Sequence, residues 1–246
     1  MPVKGHLVSV IIPGYNEERI VASTISRVEA VMSGIGRPYE LLIVDDGSTD
    51  ATAKILGRLV RGRKYPKLRY VSYPDGPSRR ENLARSFRLL KGDYVLLLDM
   101  DLSLDIAHLR DMLHWLDQGY GMVIVNRYHR DSRIRRDRRR YIISKLYNAF
   151  IRLLFRTGFR DNICGFKAFR RGVIRRLVNE AGFDATGKRS VFWDTQLIIL
   201  ARRAGIKIRE IPVRWEEGEK SSLRFGRESG MLPYIVKFWL SLRRNN

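Results

Sequence analysis

The chain has 246 residues, 44% of them hydrophobic and 10% aromatic, which is enough for one large folded domain and excludes a disordered chain. Its formal net charge is +21, from 47 Lys and Arg against 26 Asp and Glu, so the partners to expect are anionic. The lone cysteine, Cys164, excludes an internal disulfide and a cysteine-based zinc site, and suits a reducing compartment.

Residues 7–13 (LVSVIIP) form an apolar run too short for a signal peptide and predict a buried strand. Residues 17–32 carry apolar positions near helical spacing. Residues 41–45 (LLIVD) predict a second strand, and Gly47-Ser48-Thr49-Asp50 a turn and helix cap leading into a helix over 51–61. A strand at 68–73, a helix at 79–90, a strand at 94–98 (YVLLL), a helix at 104–118 and a strand at 122–125 complete the first half. Strands apolar on both faces, alternating with helices, predict an α/β domain with a mainly parallel sheet covered on two sides. Ligands collect beyond the carboxyl ends of such strands. Tyr15, Asn16 and Glu17, then Asp45 and Asp46, then Asp99 and Asp101 all fall at those ends.

The second half reads differently. Residues 127–140 are basic and loop-like, 141–155 (YIISKLYNAFIRLLF) form an amphipathic helix, and 165–169 suit a short strand. A helix at 190–204, a strand at 206–213 and a polar loop at 215–222 follow. Residues 231–242 (MLPYIVKFWLSL) are again apolar and aromatic. Between residues 127 and 176 lie 15 Arg and 2 Lys against 3 Asp, two-thirds of the whole charge excess. This patch fits nucleic acid, anionic lipid or a phosphorylated substrate, and a merely solvated basic face is the plain alternative. No run reaches the ~18–20 apolar residues that cross a bilayer. The helices at 141–155 and 231–242 suit a peripheral position in the headgroup plane of the cytoplasmic membrane face; packing on the core is the alternative. The division expected is 1–126 with the acidic strand ends, 127–222 with the basic segment and the polar loop, and 223–246 as a C-terminal amphipathic helix.

Asp99-Met100-Asp101 follows an apolar strand directly. Carboxylates at i and i+2 there can share one hard divalent cation, Mg²⁺ or Mn²⁺, or divide between a metal and sugar hydroxyls. Asp45 and Asp46 are adjacent carboxylates that need hydrogen bonds or a ligand. Glycine-rich dinucleotide and P-loop motifs are missing, as is a nucleophile elbow. The four histidines, His6, His108, His114 and His129, lack metal-ligand spacing.

Five ordered blocks, VSVIIPGYNEE, LLIVDDGSTDAT, YVLLLDMDLS, DNICGFKAFRR and IPVRWEEGEKSSL, resemble those of family 2 inverting glycosyltransferases with the GT-A fold. Within that family they are most similar to dolichyl-phosphate mannose and glucose synthases. The resemblance implies a nucleoside cradle of Pro13, Tyr15 and Glu17 with Asp45 and Asp46, and a metal and donor diphosphate on Asp99 and Asp101. It implies a phosphate-contacting Arg127, an acceptor-phosphate site at Arg140 and Ser144, and a closing loop at 218–222 whose cation is Lys220 or Arg224. Asp194 stands where relatives carry an acidic residue near the acceptor, as a base or as a structural carboxylate. Ser103 departs from the family's usual third metal-site residue. The block PDGPSRRENLARSF keeps only fragments of the family pattern.

The implied reaction joins a hexose to dolichyl or polyprenyl phosphate. GDP-mannose is favoured narrowly over UDP-glucose. A hydroxyl acceptor is the rival enzyme reading. A nucleic-acid-binding module would explain the charge but not the acidic strand ends, so no nucleic acid partner is expected.

Overall fold

The computed structural model describes residues 5–78, 80–216 and 230–244. Its centre is a sheet of β1 (Val8–Gly14), β2 (Tyr39–Asp45), β3 (Leu68–Ser72), β4 (Tyr94–Leu97), β5 (Met122–Val125), β7 (Lys167–Arg170) and β8 (Ile208–Ile211). The spatial order is β3-β2-β1-β4-β7-β5-β8. Pairings are parallel except the two made by β7, which runs antiparallel between β4 and β5. A small second sheet pairs β6 (Arg133–Arg135) with β9 (Arg214–Glu216) in parallel.

The alternation of side chains along a strand, with both faces covered, explains why β1, β4 and β5 are almost wholly apolar. Val8, Val10 and Ile12 of β1, with Leu41, Ile43, Leu96 and Leu98, pack into one core. That core receives Val21, Ile25 and Val28 of α1 (Val21–Ile35), Leu56 of α2 (Thr52–Arg61) and Leu109, Met112 and Leu116 of α4 (Leu109–Asp117). Ile11, Leu42, Val44, Val95 and Leu97 point the other way. They meet Leu83 of α3 (Glu81–Ser86), Ile174 and Leu177 of α6 (Arg171–Ala181), and Trp193 and Leu197 of α7 (Phe192–Arg203). A third cluster joins Ile151 of α5 (Arg138–Phe155), Phe192 and Ile199 of α7, and Met231 and Ile235 of α8 (Met231–Arg244).

Several elements differ from expectation. The first helix starts at Val21 because Asn16 takes a positive φ of 57° and the Glu17 carbonyl accepts from both Ile20 and Val21. The helix expected over 79–90 is α3 followed by a 3₁₀ turn, Phe87–Leu89. The one expected from 104 begins with a 3₁₀ turn, Ile106–His108, because Leu104 bridges to Trp215. Strands β6 and β9 lie in or at the edge of stretches that read as basic or polar loop, and helix α6 lies where no element is expected.

The basic segment is not one patch. Arg170 donates to the carbonyls of Tyr120 and Leu116, Arg171 to Lys91 and Arg175 to Leu90. These side chains close the ends of neighbouring elements, and the charge they carry is local to those carbonyls.

Candidate active site

The carboxyl ends of β1 and β2 are tied together into one rim. Asp46 N–H donates to the Gly14 carbonyl at 2.9 Å. Asn16 N–H donates to Ser48 Oγ at 2.9 Å, and Asn16 Oδ1 accepts from Thr49 N–H at 2.8 Å. Glu17 N–H donates to Thr52 Oγ1 at 2.8 Å. This presents Pro13, half-exposed Tyr15 and Glu17 along one edge. Gly47 suits its turn, with φ 79° and a Cβ position 2.8 Å from the Gly76 backbone.

The acidic pair of β2 is satisfied internally. Buried Asp45 accepts from Ser72 Oγ at 2.6 Å and Ser48 N–H at 3.1 Å. Asp46 accepts from Ser78 Oγ at 2.8 Å, Ser78 N–H at 2.9 Å and Asn82 Nδ2 at 2.6 Å. Asp46 therefore orders the loop that leads into α3, and its adjacency to Asp45 follows from these bonds.

Asp99 and Asp101 sit just past β4, with different surroundings. Asp101 is exposed, and Ser103 clamps it through its hydroxyl at 2.6 Å and its N–H at 3.1 Å. The serine that departs from the family pattern thus fixes the second carboxylate. Asp99 is partly covered. A Cβ on Gly165 would lie 2.5 Å from both of its carboxylate oxygens, so only glycine leaves room for them. Burial pushes the Asp99 carboxyl up, against the pull of the neighbouring Arg80 guanidinium.

Arg80 is a feature that the sequence did not reveal. Its Nη2 stands 3.6 Å from Asp99 Oδ1 and its Nε 3.1 Å from Asp194 Oδ2. Lys167 Nζ reaches the other oxygen of Asp194 at 2.8 Å and also bonds the Cys164 carbonyl. Asp194, on the first turn of α7, is buried. Its two cations leave it as the hinge of a charge chain running Lys167–Asp194–Arg80–Asp99. Arg80 holds φ at 98°, a conformation that a bulky side chain rarely adopts. The next residue, buried Glu81, is locked to buried Arg189 at 3.0, 2.6 and 2.5 Å, which holds that backbone in place.

Ser144, expected at an acceptor-phosphate site, is buried on α5. Arg136 Nη1 donates to its Oγ at 2.9 Å, and Tyr128 OH lies 2.5 Å away. Arg140 lies one helical turn earlier, where Asp137 caps the helix by accepting from Arg140 N–H at 3.1 Å. Arg127 is placed elsewhere. Its Nε and Nη2 donate to Asp161 at 2.7 and 2.9 Å, its guanidinium stacks 5.0 Å over Trp215, and it is buried. Both groups of that pair are held charged. Burial would raise Asp161, but Arg127 holds it below the usual carboxylate range, and Arg127 is pushed upward in turn. Lys220 and Arg224 lie outside the described residues; Glu216, just before them, donates its N–H to the Ser103 carbonyl at 2.9 Å.

The segment DNICGFK joins the two sides. Asp161 holds Arg127. Asn162 N–H donates to Asn148 Oδ1 of α5 at 2.6 Å, and its carbonyl accepts from Thr195 of α7 at 2.9 Å. Gly165 abuts Asp99, and Lys167 holds Asp194. Burial pushes the Cys164 thiol up to about 12, so it packs as an inert side chain.

A model of glycosyl transferase family 2 matches residues 9–178. The chain belongs to glycosyl transferase family 2. It is 33% identical over 239 residues to glycosyltransferase AglD of Haloferax volcanii, covering 96% of this chain and 37% of that protein. It is 27% identical to a dolichyl-phosphate beta-glucosyltransferase of Dictyostelium discoideum, covering 90% and 70% of the two chains. An undecaprenyl-phosphate 4-deoxy-4-formamido-L-arabinose transferase of Edwardsiella ictaluri is 31% identical, with 89% and 63% covered. Glucosyl-3-phosphoglycerate synthase of Mycobacterium tuberculosis superposes with TM-score 0.61 at 21% identity, covering 96% and 80%. A Pyrobaculum calidifontis mannosyltransferase, solved with GDP-Man and Mn²⁺, superposes at 0.60 and 20%, covering 100% and 66%. These likenesses establish the GT-A fold of this family 2 member. The chain spans little more than a third of AglD's length.

Asp99 and Asp101 suit the divalent cation expected at a family 2 site. They are an all-oxygen pair, one recessed beside glycine and one clamped by serine, which hard cations prefer. Among the described residues no group of three or more His, Cys, Asp or Glu side chains forms a metal cage. Such a cation would take its other ligands from the donor and from water.

Proposed function

We propose that this chain transfers a hexose from a nucleoside-diphosphate sugar to a polyprenyl phosphate, dolichyl phosphate in the first instance, with inversion at the anomeric carbon. The observation that carries this is the DNICGFK segment, whose Gly165 lies against Asp99 and whose Asn162 is tied to Asn148 on the helix bearing Arg140 and Ser144. A lipid phosphate is anionic at neutral pH and needs no base. Asp194, buried between two cations, is read as a structural carboxylate. The Tyr15–Glu17 rim receives the nucleoside. A divalent cation on Asp99 and Asp101 would offset charge on the departing diphosphate. Arg140, with Arg136 beside Ser144, would hold the acceptor phosphate against the donor's repulsion. For Arg127 the salt bridge to Asp161 supports a structural part rather than phosphate contact.

Relatives that act on dolichyl and undecaprenyl phosphates support the acceptor class. GDP-mannose remains the proposed donor. UDP-glucose is the second reading, favoured by the dolichyl-phosphate beta-glucosyltransferases of Dictyostelium discoideum and Saccharomyces cerevisiae.

We place the chain peripherally on the membrane. No helix among the described residues is long and apolar enough to cross one. Helix α5 turns Ile142, Leu146, Phe150 and Leu153 outward, and α8 turns Leu232, Val236 and Leu240 outward. Two apolar stripes with Arg138, Arg139, Arg152 and Arg243 along them suit a headgroup layer.

The test is a panel of GDP-mannose, UDP-glucose and other nucleotide sugars with Mn²⁺ or Mg²⁺ and a polyprenyl phosphate, read as labelled glycolipid. Product with one donor, abolished in Asp101→Asn, is expected. Transfer only to soluble hydroxyl acceptors would overturn the acceptor assignment.

A further inference from the structure

The strongest unexplained feature is Arg80. Its backbone sits at φ 98°, a costly conformation for a residue with a Cβ. Its guanidinium is largely buried between Asp99 and Asp194. A salt link made only for stability can be built from an ordinary conformation, so the placement calls for a role at the site.

The charges around it can be counted. Asp99, Asp101 and Asp194 carry three negative charges; Arg80 and Lys167 supply two positive ones. The cluster is therefore −1 before any ligand binds. A divalent cation turns it to +1, the sign that a nucleoside diphosphate needs. Without Arg80 the same steps run from −2 to 0.

The geometry points to Arg80 as a charge-setting residue that weakens the site for the bare divalent cation and strengthens the cation-loaded site for the diphosphate. This rests on the reading of Asp99 and Asp101 as the cation and diphosphate site. Arg80 is a positioning residue in this account: it lies against Asp99 and acts through it. The site then favours the cation and diphosphate together over the cation alone, which suits a transferase that must release both between turnovers. Lys167 contributes the same sign but is paired with the other oxygen of Asp194, whereas Arg80 lies directly against Asp99, so the effect of Lys167 at Asp99 is smaller.

The opposite signs make the inference testable by binding alone. Mn²⁺ affinity is measured without nucleotide from the free-Mn²⁺ paramagnetic resonance signal. UDP and GDP affinities are measured by calorimetry at saturating Mn²⁺. Arg80→Gly suits the positive φ and leaves Glu81–Arg189 intact; Arg80→Lys keeps the charge. A single charge acting over several ångströms at a half-buried site changes affinity on the order of tenfold. Arg80→Gly should bind Mn²⁺ about three- to tenfold more tightly and the diphosphate about tenfold more weakly. Arg80→Lys should stay within about threefold of the native protein on both measures. Weakening of both, or a change in neither, in a glycine variant with native thermal stability would overturn the inference while leaving the site's function standing. A native protein that binds neither Mn²⁺ nor diphosphate would sink both.

Discussion

Asp161 and Gly165 show how single residues hold the site. Asp161 and Arg127 form a buried pair, and removing one partner of such a pair costs about 3 kcal/mol or more. Asp161→Asn should lower unfolding stability by about that amount in urea titration. The acid limb should change too. The Asp161 carboxyl is held below its ordinary value, so its contribution is full above about pH 4 and is lost as pH falls through the depressed value. Stability of the native protein should therefore fall below about pH 4, and the Asn variant should show a flatter acid limb. Gly165→Ala acts differently. A Cβ there meets Asp99 at 2.5 Å, so Mn²⁺ binding and transfer should be lost while the melting temperature changes by only a few degrees. Asp99 and Asp101 were legible in the sequence because an apolar strand points at them. Arg80, Gly165 and Lys167 were not. Their contacts span up to 114 residues, as from Arg80 to Asp194, and nothing in an arginine codon announces a left-handed backbone. The Asp45–Asp46 doublet marked the end of β2, but its partners Ser48, Ser72, Ser78 and Asn82 are short polar residues without a pattern.

Helix α5 carries both sides of the account at element scale. Its inner face presents Ser144, Asn148 and Ile151 to the protein, and its outer face carries the apolar stripe. Replacing Leu146 and Leu153 together by Glu should reduce binding to anionic phospholipid vesicles about a hundredfold or more, since each buried leucine contributes about 1.5–3 kcal/mol. Vesicle sedimentation measures it, and unchanged thermal stability would separate membrane contact from folding. The helix itself was readable from its period. Helix α6 was not, because four basic and acidic residues in eleven, RGVIRRLVNEA, hid Ile174 and Leu177 at i and i+3. Strands β6 and β9 have three residues each, too few for a period-two pattern to register. The central strands were legible because burial on both faces leaves mostly apolar residues in them.

For the whole molecule, the net charge of +21 suggested one large anionic partner, and the structure divides it. Arg170, Arg171, Arg175 and Arg202 close carbonyl ends, Arg127 and Arg189 are buried in pairs, and Arg136 donates to Ser144 at the head of α5, where Arg140 also lies. The acidic strand ends and that helix are linked through residues 161–167. The proposed reaction needs such a link to bring a donor diphosphate and a lipid phosphate together. The decisive measurement is transfer of labelled hexose to a polyprenyl phosphate in the presence of Mn²⁺, by native protein and by Asp101→Asn and Ser144→Ala variants. The account predicts glycolipid from the native protein, none from Asp101→Asn, and a raised KM for the lipid phosphate with a nearly unchanged KM for the donor in Ser144→Ala. Full glycolipid formation by Asp101→Asn would contradict it.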